Sequence, residues 1–479
     1  MLTIAVLTCT GLSAQHHIMP LFYETPQNTL YNPSIAPSNG GGYLMLPFIG
    51  GVSFKYENSG FCYEDAFTRG NGDSLHLDLD KLAGKMKNVT KSLLSTEADI
   101  TLLGVGFSLG RTFWTFDIIN KTRVTATIPK SLLDIRYGNW NYTEDIPIDQ
   151  SVSELYAKAL NYTEFALGTS FPMGKKARFG FRLKLLGGVA SALLDHFNIE
   201  ITTGSSQNQY GINFKTDGLL YAAAPDLTVG YDSDGYVDDI SVGDSYDNYL
   251  EMNNFGFGAD IGLQIKATDR FTIGLAALDL GSIKWKQNIG AFRANNSFTF
   301  NGIDVSENIK DPDGTSNDTY WSQLEDSLTQ FTDVTHDDQT SFKTPLSTKL
   351  LMNMQIDLNY MLMLNLDFGA TFVDGSPYCN GGVSGSFHVN NWISLAATMN
   401  MNPGWRLAYG FGGLMTLKWF QVYAYSDQFS VLLRKTRGAH LQAGINFLFG
   451  QDQKKSKYSR TGRVNYRNRK YHSSQPRLR

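Results

Sequence analysis

The chain has 479 residues, of which 46 are glycine, 13% are aromatic and only 18% are charged, with a net charge of −4. Average soluble proteins contain roughly 7% glycine and 25% charged residues, so this composition argues against a set of ordinary soluble domains. The sequence contains no run of about 18 apolar residues, which excludes a membrane-spanning helix. An all-β extracellular protein and an outer-membrane β-barrel remain.

The first 14 residues, MLTIAVLTCTGLSA, predict a secretory signal peptide that is cleaved after Ala14. They are apolar and uncharged and end in a small residue, although the basic n-region is missing. A lipid anchor on Cys9 is a weaker alternative, because Leu7-Thr8 is a poor lipidation box. Cleavage would leave Cys62 and Cys379, which either pair in an oxidising compartment or stay as two thiols.

Residues 15–41 combine Asn32-Pro33, Ala36-Pro37 and consecutive glycines just before the first apolar stretch. Such steps favour irregular backbone over a strand. At membrane depth, irregular backbone is tolerated only where protein or lumen water surrounds it. We therefore expect a hatch that lies in or just beneath a barrel, with Asn32, Pro33 and Pro37 as its characteristic residues.

Residues 42–450 show period-two alternation, as in NFGFGADIGLQIKA (254–267), where large apolar residues alternate with Gly, Asp, Gln and Lys. This period indicates strands with one apolar face. Several runs last for about 9–14 residues, longer than the usual 5–6 and long enough to cross a bilayer at a tilt. In lipid, every backbone group must be paired, so the strands must close. The fold class predicted is all-β: a transmembrane antiparallel β-barrel of about 14 strands with short helical insertions.

A first helical insertion is predicted over residues 77–95, where Leu82, Met86, Val89 and Leu93 recur at helical spacing. A helix that caps or plugs one barrel end is favoured over a membrane-surface or partner-binding helix. A shorter helical piece is predicted at residues 130–136.

The face opposite the apolar one carries small residues and isolated charges, which suits a confined lumen. The lumen candidates are Glu164, Arg182, Lys184, Asp260 and Lys266. Such charges either set solute selectivity or pair and brace the wall, and pairing is favoured because Glu164 opposes Arg182 and Lys184 across one short turn.

Two loops, about 226–251 and 304–340, are strongly acidic, and long loops belong on the outer face of such barrels. Within DSDGYVDD, the residues Asp232, Asp234 and Asp238 resemble the first half of a calcium loop. The bidentate Glu of a full loop is not at the required offset, so a solvated loop is favoured over a metal site.

The tail, residues 451–479, has ten Lys or Arg residues and only Asp452 as an acid. It follows the last strand, so we place it in the periplasm. A solvated, disordered tail is favoured over an arm that docks on a periplasmic partner or the cell wall.

A family resemblance adds to this interpretation. TLYNPSIAPSNGGGYLMLPFIGGVSFKYENSGF (29–61) resembles the N-terminal signature of an uncharacterised outer-membrane family of Bacteroidota, and YTEFALGTSFPMGKKARFGFRLKLLGG (162–188) resembles a hairpin of the same proteins. That family is distantly related to the FadL-type transporters of hydrophobic compounds and to the FadL-like PorV barrel of the type IX secretion system. Asn32-Pro33 resembles the Asn-Pro-Ala of their hatch, with Ser34 in place of Ala. The resemblance implies an outer-membrane barrel and leaves the activity open.

No catalytic motif and no metal-spaced cysteine pair occurs in the sequence, so we expect neither an enzyme nor a cofactor. The predicted function is a FadL-like channel or transporter for hydrophobic or small solutes, through a gated lumen or a side opening. The alternative is a barrel scaffold of a secretion or cell-surface assembly, similar to PorV or PorP. The expected partners are outer-membrane lipid, a hydrophobic solute and a periplasmic or secretion-system protein bound by the tail, and no nucleic acid.

Overall fold

The computed structural model of the protein describes most of the region from residue 17 to residue 450. The described residues are 17–36, 41–69, 75–86, 90–135, 140–141, 146–203, 211–233, 236–243, 254–300, 334–336, 341–359, 361–390, 392–402, 406–429 and 437–450. The predicted signal peptide, the residue Pro37 and the basic tail lie outside them.

Helices in the part of the chain that the structure describes are few and short. After a 3₁₀ turn at Met19–Leu21, they are α1 (Asn28–Tyr31), α2 (Tyr63–Ala66), α3 (Leu79–Lys85) and α4 (Lys130–Asp134). Within the described residues, no helix has the length and apolar character needed to cross a membrane.

Strands account for most of the described chain. In the first half they are β1 (Gly42–Met45), β2 (Val52–Asn58), β3 (Phe67–Arg69), β4 (Leu75–Leu77), β5 (Lys91–Leu109), β6 (Thr112–Pro129), β7 (Trp140–Asn141), β8 (Ile146–Pro147), β9 (Gln150–Val152), β10 (Tyr156–Met173), β11 (Ala177–Thr203) and β12 (Ile212–Ala223). In the second half they are β13 (Thr228–Tyr231), β14 (Val237–Ser241), β15 (Asn254–Lys266), β16 (Phe271–Trp285), β17 (Ile289–Phe300), β18 (Thr335–His336), β19 (Phe342–Pro345), β20 (Lys349–Asp357), β21 (Leu362–Val373), β22 (Ser376–His388), β23 (Ile393–Asn402), β24 (Arg406–Thr416), β25 (Phe420–Ser426) and β26 (Gly438–Phe449).

The wall is a closed antiparallel barrel of 14 strands, as the sequence predicts. Its circuit runs β1/β2, β5, β6, β10, β11, β15, β16, β20, β21, β22, β23, β24, β25, β26 and back to β1/β2. The last strand closes the circuit by pairing with both pieces of the first, through Gly42↔Phe449 and Val52↔Ala443. Closure leaves no free edge in the wall, which is the condition for crossing lipid with strands.

The two faces of the wall have opposite chemistry. On the outside, Leu183, Ile261 and Phe368 are 59%, 44% and 51% exposed. Their inward neighbours in sequence, such as Arg182 and Asp260, are buried. An apolar exterior around a charged interior is the reverse of a water-soluble barrel and is stable only in lipid. The barrel is therefore transmembrane.

The first wall position is interrupted between β1 and β2. Phe48 has a positive φ of 63° and is 66% exposed. The amide of Phe48 donates to the carbonyl of Thr101, and the amide of Gly50 donates to that of Leu46, so the turn satisfies part of its own backbone. The chain then rejoins the ladder at Val52.

The strands on one side of the barrel are longer and extend beyond the rim. The strand β11 has 27 residues, and its first half pairs with β15 while its second half pairs with β12. The strand β12 in turn pairs with β17, so a sheet continues beyond the rim. The opposite end has tight turns, where Gly110 and Gly174 adopt φ values of 62° and 68°. The long loops therefore lie at one end, together with the two-residue turn at Asp374 and Gly375, and the connections at the other end are short, as in outer-membrane barrels.

The helix predicted over residues 77–95 is too long. The helix α3 ends at Lys85, and the Asp78 Oδ1 caps its start by accepting from the amide of Lys81 at 2.9 Å. Leu93 instead lies in β5 opposite Thr127. A long ladder between β5 and β6 satisfies more backbone than a further helical turn would, so tertiary pairing overrides the helical spacing. The shorter helical piece predicted at 130–136 is α4.

Cys62 is a free, buried thiol, so it does not pair with Cys379. Its Sγ donates to Asp65 Oδ2 at 2.9 Å, and Asp65 also binds Arg437 at 3.1 Å. Burial and the adjacent carboxylate raise the pKa of the Cys62 thiol. The thiol therefore stays protonated. Through Asp65, it is linked to Arg437, which lies just before the last strand.

The lipid-facing assignment predicts a stability difference between two equally apolar surfaces. The variant Ile261→Arg places a charge in the middle of β15 and should lower the free energy of unfolding by roughly 2–4 kcal/mol. The variant Ile240→Arg, on the exposed β14 outside the barrel, should change it by less than about 0.5 kcal/mol. Urea titrations in lipid vesicles measure both, and equal effects would contradict a lipid contact at Ile261.

Candidate functional site: the closed lumen

The described part of the hatch, residues 17–36, lies inside the barrel. Its first apolar residues are buried and pack against the wall residues Met363, Leu414, Tyr423 and Tyr425. The hatch residues in this contact are Ile18, Met19, Leu21 and Phe22. The segment that sequence analysis identifies as a hatch therefore fills part of the lumen in the structure.

Polar contacts join the hatch to several separate strands. The amide of Ile18 donates to Asp427 Oδ1 at 2.9 Å, and Gln355 Nε2 donates to the carbonyl of Pro20 at 2.7 Å. Gln27 Nε2 donates to the carbonyl of Gly50 at 2.9 Å and to Asn446 Oδ1 at 2.7 Å. These bonds satisfy hatch and wall groups that water cannot reach.

Asn32-Pro33 lies against a pair of wall glycines near the short-turn end. Gly180 and Gly262 are directly opposite each other in the ladder of β11 and β15. A Cβ at Gly180 would lie 2.1 Å from the Pro33 carbonyl oxygen, and a Cβ at Gly262 would lie 2.1 Å from Asn32 Oδ1. Asn32 Oδ1 accepts from the Ser34 amide at 3.0 Å, while its Nδ2 donates to the Leu275 carbonyl at 3.3 Å. Only glycine leaves room for the hatch backbone here.

An inner cluster of buried ion pairs lies on the wall beside the hatch. It consists of Asp117, Lys121, Glu164, Arg182, Lys184, Asp260 and Asp279, on β6, β10, β11, β15 and β16. Arg182 holds three carboxylates, at 3.0 Å to Asp117, 3.3 Å to Glu164 and 3.1 Å to Asp260. Lys184 lies 2.7 Å from Asp260 and 2.6 Å from Asp279. Each carboxylate of the cluster thus has a cation from another strand.

A bridging cluster adds Lys55, Glu57, Glu97, Asp99, Arg123 and Lys349. The carboxylate of Glu97 lies 3.5 Å from Arg123 Nε and 3.8 Å from Lys55 Nζ, and both cations are on neighbouring strands. Its shortest contact is with Lys349, at 2.7 Å. Lys349 is on β20, which is eighth in the circuit of 14, whereas Glu97 is on β5, which is second. This pair therefore joins nearly opposite walls across the lumen.

Four of the five predicted lumen residues meet in the inner cluster: Glu164, Arg182, Lys184 and Asp260. Lys266 does not join them, because it lies exposed at the short-turn end of β15. Whether these charges select solutes or only brace the wall stays a prediction.

Sequence reasoning missed several members of the two clusters. Asp117 and Lys121 lie on the buried face of β6, whose side chains alternate between the two faces, so the period-two pattern would have predicted that both point inward. Asp279 was not readable, because it adopts a positive φ of 56° where the ladder of β15 and β16 shifts register. Lys349 and Glu97 are far apart in sequence, and no local pattern connects them.

A cavity of about 100 Å³ lies between the hatch and the two clusters. Met19, Gln27, Leu30 and Tyr31 line it from the hatch side. The wall side combines apolar residues, such as Ile119, Leu278 and Leu351, with the charged residues Glu97, Lys121, Arg123, Lys184 and Lys349. The cavity has room for several water molecules and is polar enough to hold them.

An aromatic layer lies inside the barrel toward the long-loop end. Tyr221, Phe342 and Trp285 form a continuous stack, with ring centroids 5.0 Å and 6.0 Å apart. Trp285 is buried, and its Nε1 donates to Thr344 Oγ1 at 2.8 Å. Leu186, Ile283 and Leu346 are further buried members of the same layer.

Two of the three calcium candidates, Asp232 and Asp238, lie in the described part of the chain. Asp232 Oδ1 accepts from the Tyr236 amide at 2.8 Å and forms the turn between β13 and β14. Asp238 is exposed on β14, and Asp234 lies outside the described residues. Among the residues that the structure describes, no group of three or more His, Cys, Asp or Glu side chains could hold a metal ion.

The close contact of Gly180 and Gly262 with the hatch predicts that one added methyl group at Gly180 loosens the hatch. Gly180→Ala forces the Pro33 carbonyl away from the wall, and overpacking of this kind costs roughly 1–3 kcal/mol. In a Ser34→Cys background, labelling by a membrane-impermeant maleimide should rise by about tenfold, because Ser34 is fully buried. Gly413→Ala is the control, since its Cβ would meet only Leu395 Cδ2 at 3.8 Å. Equal labelling of the two variants would show that Gly180 does not seat the hatch.

Comparison with solved structures finds similar chains of low identity. The Ralstonia pickettii toluene transporter TbuX has 10% identity over 88% of this chain and 92% of its own, with a TM-score of 0.36. The Pseudomonas putida toluene transporter TodX has 11% identity over 92% and 94%, with a TM-score of 0.34. A FadL homologue of Pseudomonas aeruginosa has 10% identity over 89% and 94%, with a TM-score of 0.38.

Comparison with curated proteins finds no match. Comparison with family models finds a match that covers residues 33–427, from Pro33 in the hatch to the residue after β25. That range includes Gly180, Gly262 and both charged clusters, whereas hatch residues 17–32 precede it. The chain belongs to the family of unknown function DUF5723.

Proposed function

We propose that the protein is an outer-membrane channel that is closed at rest and conducts small solutes when its hatch is displaced. The observation that carries this proposal is the cavity between the hatch and the charged wall. The wall is complete without the hatch, and the described hatch residues are held by packing, by hydrogen bonds and by the buried pair of His17 with Asp367. Such a plug can shift without breaking the barrel.

The outer-membrane location rests on the physical character of the wall. Its exterior is apolar, its strands are antiparallel, and its long loops all lie at one end. Both the hatch and the end of β26 then lie on the side of the short turns, which is the periplasmic side in barrels of this class.

The lumen favours small polar solutes over hydrophobic ones on the axial route. A hydrocarbon in the cavity would lie against ionised side chains such as Glu97, Arg123 and Lys184. It would offer these groups no hydrogen bonds and would displace the water that solvates them. A polar solute replaces that water at lower cost.

A barrel scaffold is the second candidate function, and the number of closing layers favours it. The hatch, the charged clusters and the aromatic layer follow one another along the lumen, and this much obstruction suits a barrel that does not conduct. In that function the protein holds secretion or surface machinery, with the basic tail as its periplasmic contact.

The channel proposal predicts the effect of deleting residues 15–41. The barrel should still assemble, and conducting events in planar bilayers should become more frequent, because the short-turn end is then open. Deletion of residues 451–479 is the control and should leave conductance unchanged. An unchanged record after hatch deletion, with heat-modifiable migration intact, would contradict the channel proposal.

The scaffold candidate predicts that partner binding depends on the tail. The full-length protein should recover a periplasmic partner or cell-wall fragment that the chain lacking residues 451–479 does not. Recovery should fall between low and moderate salt, since the tail is basic. Identical recovery by both forms at each salt concentration would remove the support for a docking tail.

A further inference from the structure

We propose that the ion pair between Lys349 and Glu97 is an inner gate, and that the solute it admits is a small zwitterion. This inference rests on the proposed channel function and names the solute class for the same lumen. It goes beyond the hatch, because the gate is built from the wall alone.

The pair is unusual in its position. Lys349 Nζ lies 2.7 Å from Glu97 Oε2, and each side chain is only 14% exposed. Their strands stand at the eighth and second positions of the circuit. Ordinary wall pairs, such as Arg182 with Asp260, join neighbouring strands and leave the lumen width unchanged. The pair of Lys349 and Glu97 spans that width, and neither residue belongs to the hatch.

Parting the pair has a cost that depends on what enters. A buried ammonium and a buried carboxylate would both lose a charged partner, which is strongly unfavourable. A neutral solute replaces neither charge. A simple cation pairs with Glu97 but leaves Lys349 without its nearest carboxylate. A simple anion pairs with Lys349 but leaves Glu97 with only its longer contacts to Arg123 and Lys55, at 3.5 Å and 3.8 Å.

A zwitterion replaces both charges at once. Its ammonium group donates to Glu97 and its carboxylate accepts from Lys349, so each wall group exchanges one ionic partner for another. The exchange transfers no proton and breaks no covalent bond.

The cavity beside the gate fits such a solute. Its volume is about 100 Å³, and both Lys349 and Glu97 line it. The hatch side contributes uncharged residues, namely Met19, Gln27, Leu30 and Tyr31. None of these competes for either charge of the solute, so a zwitterion in the cavity meets its ionic partners only on the wall.

The test compares two isomers of equal size. Full-length protein in liposomes is given glycine, a zwitterion, or glycolamide, its neutral isomer, and swelling rates are recorded. The wild-type protein should admit glycine at least about tenfold faster, because a charge-assisted hydrogen bond at each end lowers the barrier. In the double variant Glu97→Gln/Lys349→Met, the ratio of the two rates should fall to about 1.

Two further variants complete the design. Lys130→Met/Asp134→Asn removes an ion pair of 3.5 Å on the outer helix α4 and should keep the wild-type ratio. Lys349→Met alone is the safeguard against misfolding, because Glu97 retains Lys55 and Arg123. It removes the partner of the solute carboxylate, so it should also lower the ratio, by about tenfold.

The outcomes separate this inference from the channel proposal. Ion conductance together with equal glycine and glycolamide rates in the wild type would overturn the zwitterion gate and leave the channel. A glycine preference that survives Lys349→Met would place the selective contact elsewhere and would also overturn the gate. Absence of both conductance and swelling, with and without the hatch, would overturn the gate and the channel together.

Discussion

Charge buried in the lumen is the constraint on which the rest of the structure depends. An ion that is removed from water is stable only if it is paired, and the inner cluster places seven such groups on five strands. Arg182 alone ties β6, β10 and β15 to β11. Ion pairs therefore join the strands on the inside of the wall, and lipid surrounds the outside. Because the ion pairs fix the distances between strands, the cross-section of the barrel cannot change freely.

The hatch adapts to this interior by carrying no charge where it meets the cavity. It contacts the barrel through amides, backbone groups and apolar packing, and through His17 against Asp367 on the far side. The two halves of the lumen thus have different chemistry. The strands from β2 to β20 in the circuit carry the two charged clusters. Later strands carry amides such as Asn365, Asn400 and Asn446, which meet the hatch or its neighbours.

The sequence predicts the wall well because a lipid-facing strand has a strict period. The alternation is uninterrupted over residues 179–185 of β11 and 255–265 of β15, so the inward direction of Arg182, Lys184 and Asp260 follows directly from it. Prediction fails where a second force overrides the local pattern. The spacing of Leu82, Met86 and Leu93 is helical, yet Leu93 is taken into the ladder with β6. Lys266 keeps the period of its strand but lies beyond the part of the lumen that the other charges share. The contact of Lys349 with Glu97 depends on the curvature of the whole barrel, which no local period encodes.

The break in the first strand has a consequence for biogenesis. Gln27 of the hatch bonds both to Gly50, in that break, and to Asn446 on the last strand. The last strand also completes the wall by pairing with β1 and β2. The residues that receive the hatch therefore come together only when the two ends of the barrel meet. A nascent barrel must stay unsealed until its final strand is inserted, and membrane integrity during assembly depends on the machinery that holds it until then.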